Sequence, residues 1–551
     1  MIKPRLALAA LLPLLLTACG TEQEARQPNI VLIVADDLGY SDIGSFGGEI
    51  RTPNLDSLAA HGLRLTNFHT APTCGPTRAM LMTGIDSHPV GMATNAATLK
   101  RLPYLQGRPG YEGHLNERAV TVASLLQDAG YQTYLSGKWD LGGKEGSRPI
   151  DRGFDKSFAL ATGGASHFSD AEGALQSDGG ANYIEDDRVV DKLPDDFYSS
   201  RFYADRAIEY IGSGDPEEPF FAYVAFTAPH WPLQVPDDWL DRYRGQYDGG
   251  WQQLAESRLA RQLELGLIDS VAEYSPLRGV REWNSLPAEE RQLRAREMEI
   301  YAAMVEYMDW QIGRLIEYVE SLPSDRDTLI IFLADNGPEG NAIDRIGNNA
   351  AWIEERFNND LDNMGRRNSY LWTGPGWAQA SAQPHRLYKS FVAEGGISAP
   401  SIIYLSGSTP EVHTSDALVR VSDVPATILD AAGISHPGTR YKGRDILPME
   451  GRSALPVFFS AADSIHEGEA LGWELYGNRA LIRDNWKAML IWPPYGDGQW
   501  KLYDLSGDPL EEHDLGGEHP ELLEELIGEW NAYAEDKGIY LFEEDSGYGR
   551  Y

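Results

Sequence analysis

Four candidate strands in this chain end in charged or metal-binding residues, and this restricts the fold more than any other feature. Residues 29–35 lead into Asp36-Asp37, and residues 132–136 into Gly137-Lys138. Residues 220–226 lead into Pro229-His230, and residues 328–334 into Asp335-Asn336. Residues 29–35 form a continuous apolar run, as a strand covered on both faces should. Helical patterns separate the four strands. Thr52-Pro53 opens one helix, and Met298, Tyr301, Val305, Met308, Ile312, Leu315 and Val319 recur at helical spacing in another. The alternation predicts an α/β fold with a mixed, largely parallel sheet flanked by helices. Ligands in such sheets bind beyond the carboxyl ends of the strands. The charged residues therefore converge on one edge.

Two stretches depart from this pattern. Residues 235–295 are polar and Arg/Glu-rich, and read as a helical excursion whose charges form a solvated face. Near residue 450 the composition changes. Segments 473–476, 487–492 and 500–504 read as short antiparallel strands, followed by a helix over 520–536. The expected division is a catalytic α/β domain over 29–455 and a smaller C-terminal α+β subdomain over 456–551.

The chain has two cysteines. A short basic start and an apolar run precede Leu16-Thr17-Ala18-Cys19, which resembles a bacterial lipobox. The run is too short to span a bilayer. The expectation is a leader over 1–18, lipidation of Cys19, a polar tether over 19–28, and a lipoprotein on the periplasmic face or outer membrane of a bacterial envelope. Plain secretion is the simpler alternative. After export Cys74 is the one thiol left, so no disulfide forms within the chain.

The net charge of -36 argues against nucleic acid as a partner. It also means that an anionic substrate must be captured by local cations. Arg78, Lys138 and Lys389 are the candidates. Asp36, Asp37, Asp335 and Asn336 offer hard oxygen ligands, which suit calcium or magnesium better than zinc. His230 could hand a proton to a leaving oxygen. The plainer readings are a turn for Asp36-Asp37, a salt bridge for Arg78, solvated lysines and a structural histidine. Convergence at one sheet edge weighs against them.

Cys74-Gly-Pro-Thr-Arg78, with Thr83-Gly84 beyond it, resembles the signature of the type I sulfatases of the alkaline phosphatase superfamily. The segments 34–43, 137–139, 227–233, 334–337, 386–389 and 394–397 extend the likeness, which is nearest the bacterial arylsulfatases. The resemblance implies an alkaline-phosphatase-like fold and hydrolysis of a sulfate monoester, whether aryl, alkyl or carbohydrate. It implies that a formylglycine-generating enzyme converts Cys74 to formylglycine (3-oxoalanine). It implies Ca²⁺, with Mg²⁺ as the alternative, on Asp36, Asp37, modified Cys74, Asp335 and Asn336. Arg78 would partner the formylglycine, Lys138 and Lys389 would hold the sulfate, and His230 or Lys389 would protonate the leaving group.

One position departs from the family pattern. Gly137-Lys-Trp-Asp140-Leu-Gly142 has aspartate where the resemblance leads one to expect histidine. Asp140 reads either as a substitute general base or as a partner of Lys138 or Arg78. His88 and His167 are candidate compensators. Trp139 and Trp231 hint at a stacking surface, with burial as the plainer reading. The competing functions are a phosphonate monoester or phosphodiester hydrolase of the same superfamily, and a non-catalytic lipoprotein that binds sulfated glycans.

Overall fold

The computed structural model describes residues 26–270 and 276–541. The expected leader, Cys19 and most of the tether lie outside the described residues. Among the described residues the central sheet has ten strands. From edge to edge they are Thr414–Ser415, Leu63–Leu65, Ser401–Leu405, Thr328–Ala334, Asn29–Asp36, Phe220–Pro229, Gln132–Lys138, Lys156–Leu160, Tyr183–Glu185 and Arg188–Val189. The four candidate strands are its middle strands, adjacent and mutually parallel. Ser401–Leu405 and Tyr183–Glu185 run antiparallel to their inner neighbours. The sheet is mixed and largely parallel, as the sequence implied.

Every residue of Asn29–Asp36 and Phe220–Pro229 is buried. Helix Ser199–Gly212 packs on Phe220–Pro229 and Gln132–Lys138, and Ala288–Glu320 packs on that helix in turn. The apolar stripe of Ala288–Glu320 is core, with Met298, Met308, Ile312 and Leu315 fully enclosed. The excursion needs correction. Its charges are not simply a solvated face: Arg258 is buried and binds Asp42 at 2.5 Å and Glu49 at 2.7 Å. Just beyond the excursion, Arg296 and Glu299 form a second buried pair at 2.8 Å. The polar-looking helix Gly250–Glu264 is thus fastened to the loop after Asn29–Asp36 by a charged group paired on both sides.

The C-terminal sheet has four antiparallel strands, Ala470–Leu475, Asn478–Arg483, Trp486–Leu490 and Trp500–Asp504. Helix Pro520–Lys537 lays Leu526, Trp530 and Ala534 against it. Asn478–Arg483 was not expected. Its hairpin turns at Tyr476-Gly477, both in the left-handed region. Such turns usually announce themselves with Asn, Asp or Gly in the first position, and tyrosine hides the signal.

Buried polar contacts join this sheet to the catalytic part. Lys487 reaches Glu394 and Glu511, both at 2.6 Å. His88 lies between Asp86 at 3.0 Å and Glu474 at 3.2 Å. Burial pulls its pKa down, but hydrogen bonds to Asp86 and Glu474 outweigh this and push it up to about 9. The stabilisation from its charge is therefore complete below about pH 6.5 and lost as pH rises toward 9. His88→Leu is expected to cost about 3 kcal/mol at pH 6, shrinking toward pH 9. Urea denaturation of both proteins across that range checks this. A pH-independent difference would refute it.

Candidate functional site

The shared strand direction brings Asp36, Asp37, Lys138, His230, Asp335 and Asn336 to one edge. Asp36 is paired with Pro229 in the parallel register, and the amide of Asp335 donates to the carbonyl of Ala35. Asp37 turns back at once, with φ of 64°, a left-handed conformation that aspartate tolerates. Its amide donates to Asp335 Oδ1. Adjacent carboxylates thus face the same space instead of opposite sides of the sheet.

Cys74 enters this space as the first residue of helix Cys74–Thr83, which is buried throughout. Its sulfur lies 3.4 Å from Asp36 Oδ1 and 3.9 Å from Asp37 Oδ1. Asn95 fixes the turn, accepting from the Gly75 amide and donating to Thr73. Burial first, then the Asp335 charge, push the Cys74 thiol well above its ordinary range. Reactive thiolates need the reverse, an electropositive and partly open setting. An unmodified thiol here is a poor nucleophile at neutral pH.

The cations are buried with the acids. Arg78 gives Nε and Nη2 to Asp335 Oδ2 at 3.0 and 2.7 Å, and Nη1 to the Lys138 carbonyl. Lys138 Nζ lies 2.9 and 2.7 Å from the two oxygens of Asp36. Lys389 Nζ lies 2.8 Å from Asp37 Oδ1 and 3.5 Å from Glu339 Oε2. Burial, only partly offset by Lys138, pushes the Asp36 carboxyl up to about 8, and repulsion from Asp335 and Asp37 adds to it. Burial also works against Asp37, yet Lys389 above all, with Lys138, holds it down at about 2.

His230 Nδ1 lies 2.5 Å from the Trp231 carbonyl, and Nε2 lies 3.6 Å from Asp37 Oδ2. A carbonyl only accepts, so Nδ1 carries the proton and Nε2 presents its lone pair. Burial drives the pKa of His230 well below its ordinary value, which agrees with a neutral ring.

The residues fit a hard divalent cation. Asp36, Asp37, Cys74 and His230 bring one donor atom each within 4.8 Å of one another. Asn336 gives its amide to Asp37 Oδ1 at 2.7 Å, while its own Oδ1 is buried without a partner. An orphaned amide oxygen beside crowded carboxylates is what oxygen coordination would satisfy. Each expected carboxylate ligand is also held by a cation: Asp36 by Lys138, Asp37 by Lys389 and Asp335 by Arg78.

Asp140 also needs correction. It pairs with neither Lys138 nor Arg78, whose hydrogen bonds go elsewhere. His88 sits in the junction with the C-terminal sheet. His167 donates to or accepts from Ser199 Oγ and holds the His230 carbonyl at 3.0 Å. Burial drops its pKa to about 4. Trp139 is fully enclosed, whereas Trp231 lines the cavity and stacks on His230 at 4.7 Å. Sequence reasoning missed Glu339, which holds Lys389, Trp231 Nε1 and Asn341 together. No spacing or motif marks it. A cavity of about 850 Å³ opens above Cys74, Asp140, Trp231, Glu339 and Lys389.

A model of the Sulfatase family matches residues 28–434. An uncharacterized sulfatase of Schizosaccharomyces pombe is 41% identical over 96% of this chain and 97% of its own length. The arylsulfatase of Klebsiella aerogenes is 38% identical over 82% of this chain and 96% of its own. A crystal structure of i-CgsB with a neocarrahexaose superposes with a TM-score of 0.66 at 23% identity, covering 94% of this chain and 95% of that one. A structure of BT4656 with D-glucosamine-2-N,6-O-disulfate gives 0.59 at 19% identity, covering 95% and 100%. These two likenesses bear on the fold.

Proposed function

The chain belongs to the sulfatase family and is a sulfatase enzyme, and on that premise we propose that it cleaves sulfate monoesters at residue 74, after Cys74 is converted to formylglycine. The carrying observation is the setting of Cys74. It stands at a buried helix start, 3.4 Å from Asp36, among three buried cations. Its thiol is pushed up rather than down, so a cysteine-thiolate mechanism finds no support. Formylglycine supplies, as its hydrate, a nucleophilic oxygen and a second hydroxyl through which sulfate can leave. A calcium ion on Asp36, Asp37, Asp335, Asn336 and residue 74 would supply Lewis acidity at the sulfate.

The protein's own groups divide the remaining work. Arg78 holds Asp335 and, through its bond to the Lys138 carbonyl, the end of strand Gln132–Lys138. Lys389 is open to the cavity and carries protons toward the ester; Lys138, behind Asp36, adds charge. Burial alone would lower Lys389, yet Asp37 raises it well above the ordinary range. It thus stays charged against a sulfate. His230 is neutral with Nε2 unprotonated, so Lys389 is the better placed proton donor for the leaving oxygen. Export and lipid anchoring through Cys19 accompany this reading, and the mass of the mature N-terminal peptide tests them.

Chelation is the test of the metal. Dialysis against EDTA is expected to lower hydrolysis of 4-nitrophenyl sulfate by about 100-fold and to lower Tm, with Ca²⁺ restoring both. Unchanged activity and Tm after chelation would overturn the metal assignment. Aryl phosphonate turnover exceeding sulfate turnover would favour the diester-hydrolase alternative.

A further inference from the structure

Asp140 ends strand Gln132–Lys138 two residues on, with φ of 53°. It is 5% exposed and lines the cavity that holds Cys74. Its Oδ2 is buried without a hydrogen-bond partner. Most buried carboxyl oxygens are paired, and leaving one unpaired costs about 1–3 kcal/mol or more.

Glycines pass close to that carboxyl and offer it no side chain. A Cβ on Gly75 would stand 3.6 Å from Oδ2, and one on Gly163 would stand 3.5 Å from Oδ1. Gly164, next in the chain, passes so close to His230 that a Cβ would meet its ring at 2.8 Å. The loop 162–164 therefore runs past both Asp140 and His230 with no side chain between. Thr162, at its start, lines the same cavity, and its Oγ1 is likewise buried without a partner. Asp140 and Thr162, each with an unpartnered oxygen, thus line the same cavity of about 850 Å³ as residue 74. A phenyl ring carries nothing that would satisfy either.

We propose that Asp140 and Thr162 form a subsite for a hydroxyl group adjacent to the scissile ester, so that the substrates are sulfate monoesters of polyols such as sugars. This rests on the sulfatase reading above and names its substrate class. A hydroxyl suits the site in either protonation state, because it donates to a carboxylate and accepts from a carboxylic acid. Burial pushes the Asp140 carboxyl upward despite Lys138 and Arg78, so this tolerance matters. A site built to bond a substrate hydroxyl rejects the analogue that lacks it, because its own buried groups are left unpaired.

The test compares kcat/KM for trans-cyclohexane-1,2-diol monosulfate, cyclohexyl sulfate and 4-nitrophenyl sulfate. The first two differ only in the neighbouring hydroxyl. Wild-type protein is expected to favour the diol ester over cyclohexyl sulfate by about 100-fold or more. Asp140→Ala is expected to compress that ratio to about threefold, and Thr162→Val to lower it by about tenfold. Calorimetric binding of both alkyl esters to Cys74→Ala protein is expected to show the same preference in Kd. Equal treatment of the two alkyl esters, with aryl ester turnover intact, would overturn the subsite and leave the sulfatase reading standing. Loss of all three esters by one factor in Asp140→Ala would also overturn it, because the carboxyl would then act in the reaction itself. Release of sulfate from none of them by formylglycine-containing, calcium-loaded protein would overturn the preceding proposal as well.

Discussion

Cys74→Ser protein is expected to lose multiple turnover by about 10⁵-fold while keeping the ability to accept one sulfuryl group. Serine is close to cysteine in size and sits at the same helix start, so the fold has no reason to change. Asp36 Oδ1, 3.4 Å from the sulfur, remains as hydrogen-bond acceptor for the new hydroxyl. The difference is chemical. A serine ester has no second hydroxyl to collapse, so sulfate stays attached. Mass spectrometry of the 74-containing peptide after incubation with 4-nitrophenyl sulfate should show a gain of about 80 Da, one sulfuryl group on a serine oxygen. The same peptide from wild-type protein made in a competent host should weigh about 18 Da less than its sequence mass, as expected for thiol-to-aldehyde conversion. Wild-type protein active with an unmodified thiol would refute the assignment, and so would undiminished steady-state turnover by the serine variant.

The sequence made the site's edge legible because strands buried on both faces show as apolar runs at 29–35, 220–226 and 328–334, and because all four strands stop at a charged or metal-binding residue. Asp36-Asp37, Lys138, His230 and Asp335-Asn336 meet where those strands end. What stayed hidden was how the charges pair. Nothing in the spacing of Lys138 or Lys389 says that each lies against a carboxylate of the Asp36-Asp37 pair. Glu339 was invisible for the same reason, since its partners come from 108 and 50 residues away through the fold rather than through a motif. Arg258 misled because a charged helix reads as solvated unless its partners are known. Asp140 is the reverse case. Its identity stood out in sequence, but only the structure reveals that its Oδ2 is buried without a hydrogen-bond partner.

The pairing of Arg78 with Asp335 sets the second large effect. Arg78 is wholly buried and fills its guanidinium with Asp335, the Lys138 carbonyl and the Tyr223 hydroxyl. Arg78→Gln would leave Asp335 as a buried carboxylate without its cation, a loss worth about 3–5 kcal/mol. Arg78→Lys should recover little, because one ammonium cannot replace a planar fork that bonds Asp335 through two nitrogens and a carbonyl through the third. The expected results are a Tm lowered by several degrees in both variants and kcat/KM lowered by about 10³-fold. The double variant Arg78→Gln/Asp335→Asn separates structure from chemistry. Removing both charges should return much of the stability, since replacing a whole buried pair costs far less than breaking it. It should return none of the activity, because Asp335 and Arg78 jointly position residue 74 and the end of strand Gln132–Lys138. Recovery of activity along with stability would reduce Arg78 to a structural group. Loss of activity without loss of stability in Arg78→Gln would mean that the buried pair contributes nothing to the fold.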